Sequence, residues 1–399
     1  MKVCVIGAGL AGLAAAESLA RAGADVVVLE SGERVGGRVW SEQLSNGGLI
    51  ERGGEFITAG YEATEAVASR LGLTLEGMGI RYPDRELEPD PGLERRAVLD
   101  AAEAVAAAAG ADPDAPAAVV LERVVDDPAI RELFASRVQS AAAYAFDRMD
   151  ARWLGDVPKL VDRAETRRVR GGNQRLAEEL AAGLPHDVKL GERVVAIGHD
   201  ESRVRVRTER ASLDADACVL AVPSSLLGDI GIDPPLPSAT SSEISEIPMS
   251  SAAKLAVPLR SPAAPRAVMS VPHRFWAWTT PSDQVGGRVV GAWAGSLPVL
   301  DALDARSGDL GRWLELLGEL WPDLELEPEA AELTLWDETA WPRGAYSVRS
   351  TDIEGPPDTG NPKLFLAGEY TAGAWSGTIE GALRSGLRAA RDVAPRSGA

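Results

Sequence analysis

The chain has 399 residues, with 45% hydrophobic and 25% charged residues, which is typical of a packed globular protein of more than one average domain. The formal net charge of −19 argues against a nucleic-acid partner, because phosphate binding requires clustered Lys and Arg. The sequence has no apolar run of about 18 residues and does not begin like a secretory signal. We therefore expect a cytoplasmic protein without a membrane span.

Cysteine and histidine are too sparse to suggest a metal centre. Cys4 and Cys218 each lie inside a short apolar run, so we expect both to be small core residues. The three histidines, His186, His199 and His273, are scattered along the chain. We therefore predict no metal site.

The first recognisable element is a strand followed by a glycine turn. Residues 3–6 form a continuous apolar run, and Gly7, Gly9 and Gly12 follow at once. The Ala- and Leu-rich run 13–22 then predicts a helix. In such a turn the first glycine permits the sharp bend, the second lets backbone approach a pyrophosphate, and the third lets helix and strand pack closely.

A second apolar run, 26–29, ends on Glu30, which lies 23 residues after Gly7. At this spacing a carboxylate can hold a ribose hydroxyl. Leu10 and Ala11 stand where a helix start presents free N–H groups to phosphate oxygens. The order strand, glycine turn, helix, strand, acid predicts a dinucleotide site, and this unit alone does not separate NAD from FAD.

The middle of the chain alternates helical and strand patterns. Residues 97–109 and 128–146 are helix-like, and a further helix is predicted around 310–320. The runs 275–280 and 288–294 flank a loop that contains Pro281, Gly286 and Gly287, which predicts a β-hairpin.

The residues after the second strand point to one family. The segment 29–38, LESGERVGGR, resembles the second fingerprint of the flavin amine oxidase family, which includes the monoamine and polyamine oxidases. Four further stretches resemble the family in the right order: 51–56 (ERGGEF), 216–223 (DACVLAVP), 366–371 (LAGEYT) and 375–382 (WSGTIEGA). The resemblance implies FAD as the cofactor. It also implies an α/β fold in which a Rossmann-type, glutathione-reductase-like FAD domain is interleaved with an α+β substrate domain containing a mixed sheet.

The resemblance divides the chain between these two domains, and the clearest boundary signal is the proline-rich stretch 234–237. The FAD-binding domain is expected to comprise residues 1–60, 168–238 and 344–399. The substrate-binding domain is expected to comprise residues 61–167 and 239–343.

The resemblance also assigns the cofactor contacts. Arg38 is expected to neutralise phosphates, and the backbone of Val194 to meet adenine. Ala345 stands where some members attach the flavin through cysteine, so FAD is expected to be non-covalent. The cofactor-binding residues carried over from the motifs are Gly7, Gly9, Leu10, Ala11, Gly12, Glu30, Gly37, Arg38, Gly54, Glu55, Phe56, Val194, Gly368, Glu369, Thr378 and Ile379.

Trp336 and Tyr346 resemble a family pair in which the tryptophan lies beside the flavin and the tyrosine forms one wall of an aromatic cage. An aromatic face attracts a cation and can orient an amine; the alternative is that both are ordinary core aromatics. Thr378 occupies the position of the second wall, so only one wall of the cage is aromatic. This departure puts simple primary arylalkylamines in doubt and leaves room for a bulkier or more polar substrate.

Lys254 lies in the apolar run 252–257, where an unpartnered ammonium is expensive to bury. It matches the family lysine that holds a water at flavin N5; the alternative is an exposed lysine at a strand edge. Trp276 and Trp278 share one face of a strand, and they either line a substrate cavity or cover a sheet.

The resemblance implies an FAD-dependent oxidase that transfers hydride from a carbon next to an amine nitrogen to flavin N5, with O2 reduced to H2O2. Its catalytic residues are expected to be Lys254, Tyr346 and Trp336. The expected partners are a small-molecule amine and O2, with no nucleic acid or membrane, and a homodimer is considered as the assembly. Two alternatives stay open: a desaturase or dehydrogenase of the phytoene desaturase or protoporphyrinogen oxidase type, and a flavin-bound, non-catalytic partner protein.

Overall fold

A computed structural model describes residues 1–81, 84–160, 165–279, 287–339, 341–348 and 357–393. Within these ranges the strands are β1 (Lys2–Ile6), β2 (Asp25–Leu29), β3 (Ser41–Gln43), β4 (Leu49–Glu51), β5 (Leu75–Gly77), β6 (Glu86–Glu88), β7 (Arg167–Val169), β8 (Val194–His199), β9 (Val204–Thr208), β10 (Ser212–Ala215), β11 (Ala217–Leu220), β12 (Gly231–Asp233), β13 (Ala252–Ala263), β14 (Ala267–Ser270), β15 (Phe275–Thr279), β16 (Gly287–Gly295), β17 (Glu332–Trp336) and β18 (Leu364–Leu366).

The helices described are α1 (Leu10–Arg21), α2 (Glu62–Arg70), α3 (Arg95–Ala111), α4 (Ala117–Val124), α5 (Pro128–Ala142), α6 (Val157–Leu160), α7 (Arg175–Ala182), α8 (Ser224–Leu227), α9 (Ser238–Ser245), α10 (Leu297–Ala302), α11 (Gly311–Leu320) and α12 (Ile379–Val393). The helices predicted from the sequence are present as α1, α3, α5 and α11. None of the helices in the described part of the chain is long and apolar enough to cross a membrane.

A parallel four-stranded sheet carries the glycine turn, in the order β18, β11, β1, β2. Val5 lies opposite Val28 on one side and opposite Val219 on the other. All three valines are buried, because α1 and α12 pack together over the sheet. Strands that are covered on both faces read as continuous apolar runs, which is why β1 and β2 were predictable. Cys4 and Cys218 are paired across β1 and β11 and are fully buried, as expected of core residues.

A six-stranded mixed sheet has the order β17, β13, β16, β15, β14, β6. Its pairs are antiparallel except that of β14 with β6, which is parallel. Strands β15 and β16 form the predicted hairpin, and residues 280–286 between them lie outside the described ranges. The parallel sheet with its helices and the separate mixed sheet agree with the expected fold class. The proposed domain boundaries stay a prediction.

The register of the mixed sheet determines which side chains share a face. Lys254 on β13 lies opposite Thr334 and Trp293, and Trp293 lies opposite Trp276. Because alternate residues of a strand point the same way, Trp336 shares this face. The opposite face, which includes Leu255, Ala277 and Ala292, packs against α10 and α11. Trp276 and Trp278 therefore lie on the Lys254 side rather than under those helices.

The remaining elements support these two sheets. Helices α3, α4 and α5 pack together around an apolar cluster. Asp127 caps α5 by accepting hydrogen bonds from the N–H groups of Ala129 and Ile130. Strands β10, β9, β8 and β12 form a small sheet, and the pairs β3–β4 and β5–β7 form two more.

Candidate active site

A cleft of about 570 Å³ lies at the carboxyl end of β1, a volume within the range of cofactor and ligand sites. Its walls come from the glycine turn, the segment after β2, the start of β8, the loop after β17 and the start of α12. The predicted site residues that line it are Gly7, Gly9, Leu10, Ala11, Glu30, Gly37, Arg38, Gly54, Val194, Trp336, Tyr346, Gly368, Glu369, Thr378 and Ile379. Gly12, Glu55, Phe56 and Lys254 lie behind this lining.

The three glycines of the turn have different physical tasks. Gly7 has φ +99°, and a Cβ there would lie 2.8 Å from the carbonyl oxygen of Ala221. A Cβ on Gly12 would lie 1.9 Å from the carbonyl oxygen of Gly7, so this glycine allows α1 to pack on the turn. A Cβ on Gly9 would meet nothing within 4 Å. The open space at Gly9 is where a pyrophosphate can approach the backbone.

The Glu30 carboxylate is oriented by the backbone around it. It accepts hydrogen bonds from the N–H of Ala8 at 2.7 Å and from the N–H of Gly32 at 2.8 Å. The carboxylate also lines the cleft. Its position at the end of β2 suits a ribose hydroxyl, and its bond to Ala8 connects it to the glycine turn itself.

Arg38 and Glu369 bring opposite ends of the chain together at the cleft. The guanidinium donates to Glu369 Oε1 at 2.8 Å and to the Ala345 carbonyl oxygen at 3.1 Å. The Glu369 carboxylate also accepts from the Ser347 hydroxyl and from the Gly377 N–H. Burial alone would raise the pKa of Glu369, but Arg38, Ser347 and Gly377 together hold that pKa below its ordinary value. The site thus keeps Glu369 ionised and holds Arg38 in the cleft wall.

Arg34 and Trp40, neither of which was predicted as a site residue, also line the cleft. Arg34 donates to the carbonyl oxygens of Gly37 and Val39 and stacks on the Trp40 ring at 4.5 Å. It therefore fixes the turn that carries Gly37. Arg34 lies inside the 29–38 segment that resembles the family fingerprint, so that resemblance could have identified it as a site residue.

The Lys254 ammonium is buried and fully bonded. It donates to the carbonyl oxygens of Glu51 at 2.7 Å and Gly53 at 2.9 Å, and to Glu55 Oε2 at 2.6 Å. Lys254 and Glu55 are each 6% exposed, so the edge-exposed alternative does not describe this residue. An ammonium has three N–H donors. To hold a water toward a bound flavin, Lys254 would have to exchange one of these three bonds.

Glu55 and Phe56 face the mixed sheet rather than the cleft. Besides its bond to Lys254, Glu55 accepts a hydrogen bond from Trp278 Nε1 at 3.1 Å. The Phe56 ring packs on Trp276 and Trp278, at 5.1 and 5.3 Å between ring centroids. Both tryptophans thus belong to the layer directly behind the cleft, where Trp278 contacts both members of the Lys254–Glu55 ion pair.

The two predicted catalytic aromatics are held by backbone carbonyls. Trp336 Nε1 donates to the Arg52 carbonyl oxygen at 2.7 Å, and the Tyr346 hydroxyl donates to the Ala141 carbonyl oxygen at 2.7 Å. The Tyr346 ring stacks on Trp293, with centroids 6.3 Å apart and planes 8° from parallel. Thr378 lines the cleft and donates to the Trp375 carbonyl oxygen. Trp293 is thus an aromatic partner of Tyr346, which local spacing could not reveal.

Arg81 and Arg343 each pair with a carboxylate of the chain itself. Arg81 pairs with Asp84 at 3.8 Å, and Arg343 pairs with Asp229 at 2.9 Å. Neither side chain lines the cleft.

Glu51 is a buried carboxylate beside the Lys254 ion pair. It accepts hydrogen bonds from the Ser41 hydroxyl and the Asn173 N–H, each at 2.7 Å. Burial is the main cause that raises the pKa of Glu51 to about 7, and the nearby Glu55 adds to the rise. Glu51 thus takes up a proton within the physiological pH range.

The raised pKa of Glu51 predicts a pH-dependent stability. The folded chain holds the Glu51 proton more tightly than the unfolded chain does. The free energy of folding that this proton contributes is fully present below the ordinary pKa of 4.5, and it is lost as pH rises through about 7. We expect Glu51→Gln, which mimics the protonated side chain, to gain stability relative to the parent by up to about 3 kcal/mol above pH 7. The melting temperatures of the parent and of Glu51→Gln, measured from about pH 4.5 to 8, should be similar at the acid end and should differ increasingly as the pH rises. Parallel curves would contradict this prediction.

The open space at Gly9, the oriented Glu30 carboxylate and Arg38 all fit a dinucleotide with two phosphates. The cleft continues past them to Trp336 and Tyr346, which leaves room for a ring system beyond the pyrophosphate. The fold and the cleft together define the class as a dinucleotide-binding protein of the Rossmann type.

Comparison with known proteins identifies the family. The model of flavin containing amine oxidoreductases matches residues 10–394. An L-amino acid dehydrogenase from Synechocystis sp. (strain ATCC 27184 / PCC 6803 / Kazusa) is 22% identical, and the match covers 98% of this chain and 94% of that protein. Human amine oxidase [flavin-containing] B is 24% identical, with 98% and 85% covered. A solved putrescine oxidase variant has a TM-score of 0.83 at 21% identity, with 99% of each chain covered.

The chain belongs to the flavin-containing amine oxidoreductase family, and it is an FAD-dependent oxidoreductase. The family and the fold class predicted from the sequence motifs are thereby confirmed.

Proposed function

We propose that this chain is an amine oxidase, which converts a small amine to the corresponding imine and passes the two electrons to O2 to give H2O2. FAD would supply the redox chemistry by accepting a hydride at N5 from the carbon next to the amine nitrogen. The observation that carries the proposal is the continuous cleft, which runs from Glu30 to Trp336 and Tyr346. Amine oxidase B and putrescine oxidase among the similar proteins support it.

The residues at the far end of the cleft suit the handling of an amine. Trp336 and Tyr346 provide aromatic faces that attract a cationic or polarised nitrogen. Both rings are fixed by hydrogen bonds from their polar atoms to backbone carbonyls. Substrate binding therefore does not have to order these side chains first. Thr378 replaces the second aromatic wall, which favours a substrate that is bulkier or more polar than a simple arylalkylamine.

Peroxide formation tests the proposed reaction. Purified, flavin-loaded protein is supplied in air with primary amines, diamines, cyclic secondary amines and L-amino acids, and H2O2 is measured with a coupled peroxidase. We expect one H2O2 for each amine oxidised, with at least one class of amine active. Oxidation of a polyene or tetrapyrrole, with all amines inert, would support the desaturase alternative instead. Amine oxidation that needs an added electron acceptor would make the enzyme a dehydrogenase.

FAD is expected to be bound without a covalent link, because Ala345 has no nucleophilic side chain at the wall of the cleft. Denaturation with acid or heat, followed by centrifugation, should leave all of the flavin absorbance in the supernatant. Absorbance at 450 nm that stays with the precipitated chain would contradict the expectation.

Replacing Glu30 by alanine is expected to weaken FAD binding by roughly ten- to a hundredfold, because a charged acceptor contributes about 1.5–3 kcal/mol. The same change removes the acceptor for the Ala8 N–H and loosens the glycine turn. The dissociation constant can be measured by titrating apoprotein with FAD and following flavin fluorescence. A variant that binds FAD as tightly as the parent would show that the carboxylate does not hold the ribose.

A further inference from the structure

Residues 341–343 are fastened to the part of the cleft wall formed by α8 and the residues that follow it. Trp341 and Pro342 both line the cleft. The Pro342 carbonyl oxygen accepts a hydrogen bond from the Ser225 hydroxyl at 2.8 Å. Arg343, the next residue, makes two contacts with Asp229, at 3.1 Å from Nη1 to Oδ1 and at 2.9 Å from Nη2 to Oδ2. Such a bidentate pair fixes direction as well as distance.

Trp341 is contacted by two arginines that share one carboxylate. The guanidinium carbons of Arg193 and Arg343 lie 5.5 and 5.9 Å from the Trp341 ring centroid. Arg193 Nη2 is 3.9 Å from Asp229 Oδ2. Trp341 is nevertheless 49% exposed. Trp341 thus lies at the mouth of the cleft, half in solvent and contacted by two cations, rather than packed as a core side chain.

The backbone at Arg343 also indicates a constrained loop. Its φ is +65°, a conformation that costs free energy for any residue with a side chain. The contacts to Asp229 and Trp341 offset that cost while the loop is closed. Loss of the Arg343–Asp229 pair would remove the contacts that offset this cost.

The fastened loop lies at the adenosine end of the cleft. Arg193 precedes Val194, and the Glu192 N–H donates to the carbonyl oxygen of Glu30 at 2.8 Å. The Glu30 carboxylate is the ribose-binding candidate at this end of the site. Arg193 and Asp229 therefore line the cleft near the position expected for the adenosine half of the cofactor.

We propose that Trp341, Arg343, Arg193 and Asp229 form a clasp that closes over bound FAD and controls the rates at which FAD leaves and enters. These four are positioning residues for the cofactor and take no part in the chemistry. The proposal rests on FAD as the cofactor, but it does not require the substrate to be an amine.

Replacement of Arg343 by alanine tests the clasp in the flavin-loaded enzyme. It removes the bidentate contact and one cation from Trp341, while Glu30 and Arg38 are unchanged. We expect FAD release to be about tenfold faster, measured by the rise in free-flavin fluorescence after dilution, from the loss of an exposed charge pair and one cation–π contact. Association of FAD with the apoprotein should also be faster, because a clasp slows both directions. The melting temperature of the apoprotein should stay within about 2 °C of the parent.

Asp229→Ala distinguishes a clasp from simple attraction between arginine and phosphate. If Arg343 acts only through its positive charge, removing Asp229 frees that charge and slows FAD release. The clasp predicts the opposite, faster release, and it predicts that the double variant is no faster than either single one. Slower release in Asp229→Ala would overturn the proposal.

Arg205→Ala is the matched control. Arg205 and Asp214 form an exposed bidentate pair, at 2.7 and 3.0 Å, on the small sheet away from the cleft lining. Its loss should leave both FAD rates unchanged. Rates in Arg343→Ala within twofold of the parent would overturn the clasp alone. A purified chain that binds no FAD would overturn the cofactor assignment together with the clasp.

Discussion

Replacing Lys254 by methionine is expected to lower the melting temperature by roughly 4–6 °C, which corresponds to about 3–5 kcal/mol for a broken buried ion pair. Methionine keeps a similar length but leaves the buried Glu55 carboxylate without its partner at 2.6 Å. It also removes the donor from the carbonyl oxygens of Glu51 and Gly53. The loss follows from uncompensated buried charge and polarity rather than from a cavity.

The double variant Lys254→Met with Glu55→Gln is the matched control for this loss. Glutamine retains an acceptor for Trp278 Nε1 but carries no charge. We expect it to recover more than half of the lost melting temperature, because the uncompensated carboxylate is gone. If Lys254→Met melts like the parent, the ion pair contributes nothing to stability and the structural account of Lys254 is wrong.

The same double variant tests the proposed role of Lys254 in the reaction with O2. A fixed positive charge beside a reduced flavin stabilises the charge that oxygen gains, and one such donor often contributes about 3–4 kcal/mol. We expect reoxidation by O2, followed by stopped flow, to slow by a factor on the order of a hundred. Reduction by substrate should persist. Since Glu55→Gln restores stability but not the ammonium, an unchanged reoxidation rate would confine Lys254 to a structural role.

Replacing Arg38 by methionine is expected to weaken FAD binding by about a hundredfold or more. The guanidinium lines the cleft and is held there by Glu369 and by the Ala345 carbonyl oxygen. Its removal takes a phosphate-binding cation from the site and leaves the buried Glu369 facing the phosphates with an uncompensated charge. Fluorescence titration of the apoprotein with FAD measures the change. An affinity within threefold of the parent would exclude Arg38 from cofactor binding.

Arg70→Met separates this effect from a general loss of stability. Arg70 pairs with Glu17 at 2.5 Å, and the two side chains are 31% and 7% exposed, against 21% and 7% for Arg38 and Glu369. The Arg70 pair lies between α1 and α2, away from the cleft lining. We expect Arg70→Met to lower the melting temperature but to leave the affinity for FAD unchanged.

The opening of the chain was predictable because its determinants are local. An apolar strand, three glycines at fixed spacing and an acid after the next strand are all contained in residues 2–30. The ends of β1, α1 and β2 in the structure lie close to the ends of the predicted runs 3–6, 13–22 and 26–29. The close approach of Gly12 to Gly7 shows why the third glycine is needed.

The ion pairs of the site were not predictable, because each joins distant parts of the chain. Lys254 and Glu55 are 199 residues apart, and Arg38 and Glu369 are 331 residues apart. A strand pattern shows that Lys254 is flanked by apolar residues, but it does not show what neutralises the ammonium. Glu55 illustrates the same limit, since it follows Gly54, which lines the cleft, yet its side chain points to the opposite side.

Anaerobic reduction of the flavin tests the central claim most directly. The purified holoenzyme is mixed without oxygen with single amines, and the absorbance near 450 nm is followed. We predict that one equivalent of a suitable amine bleaches one equivalent of bound FAD, and that admitting O2 restores the colour and yields one equivalent of H2O2. A holoenzyme whose flavin remains oxidised with every amine, but is bleached by a polyene or tetrapyrrole, would contradict amine oxidation as the function of this chain.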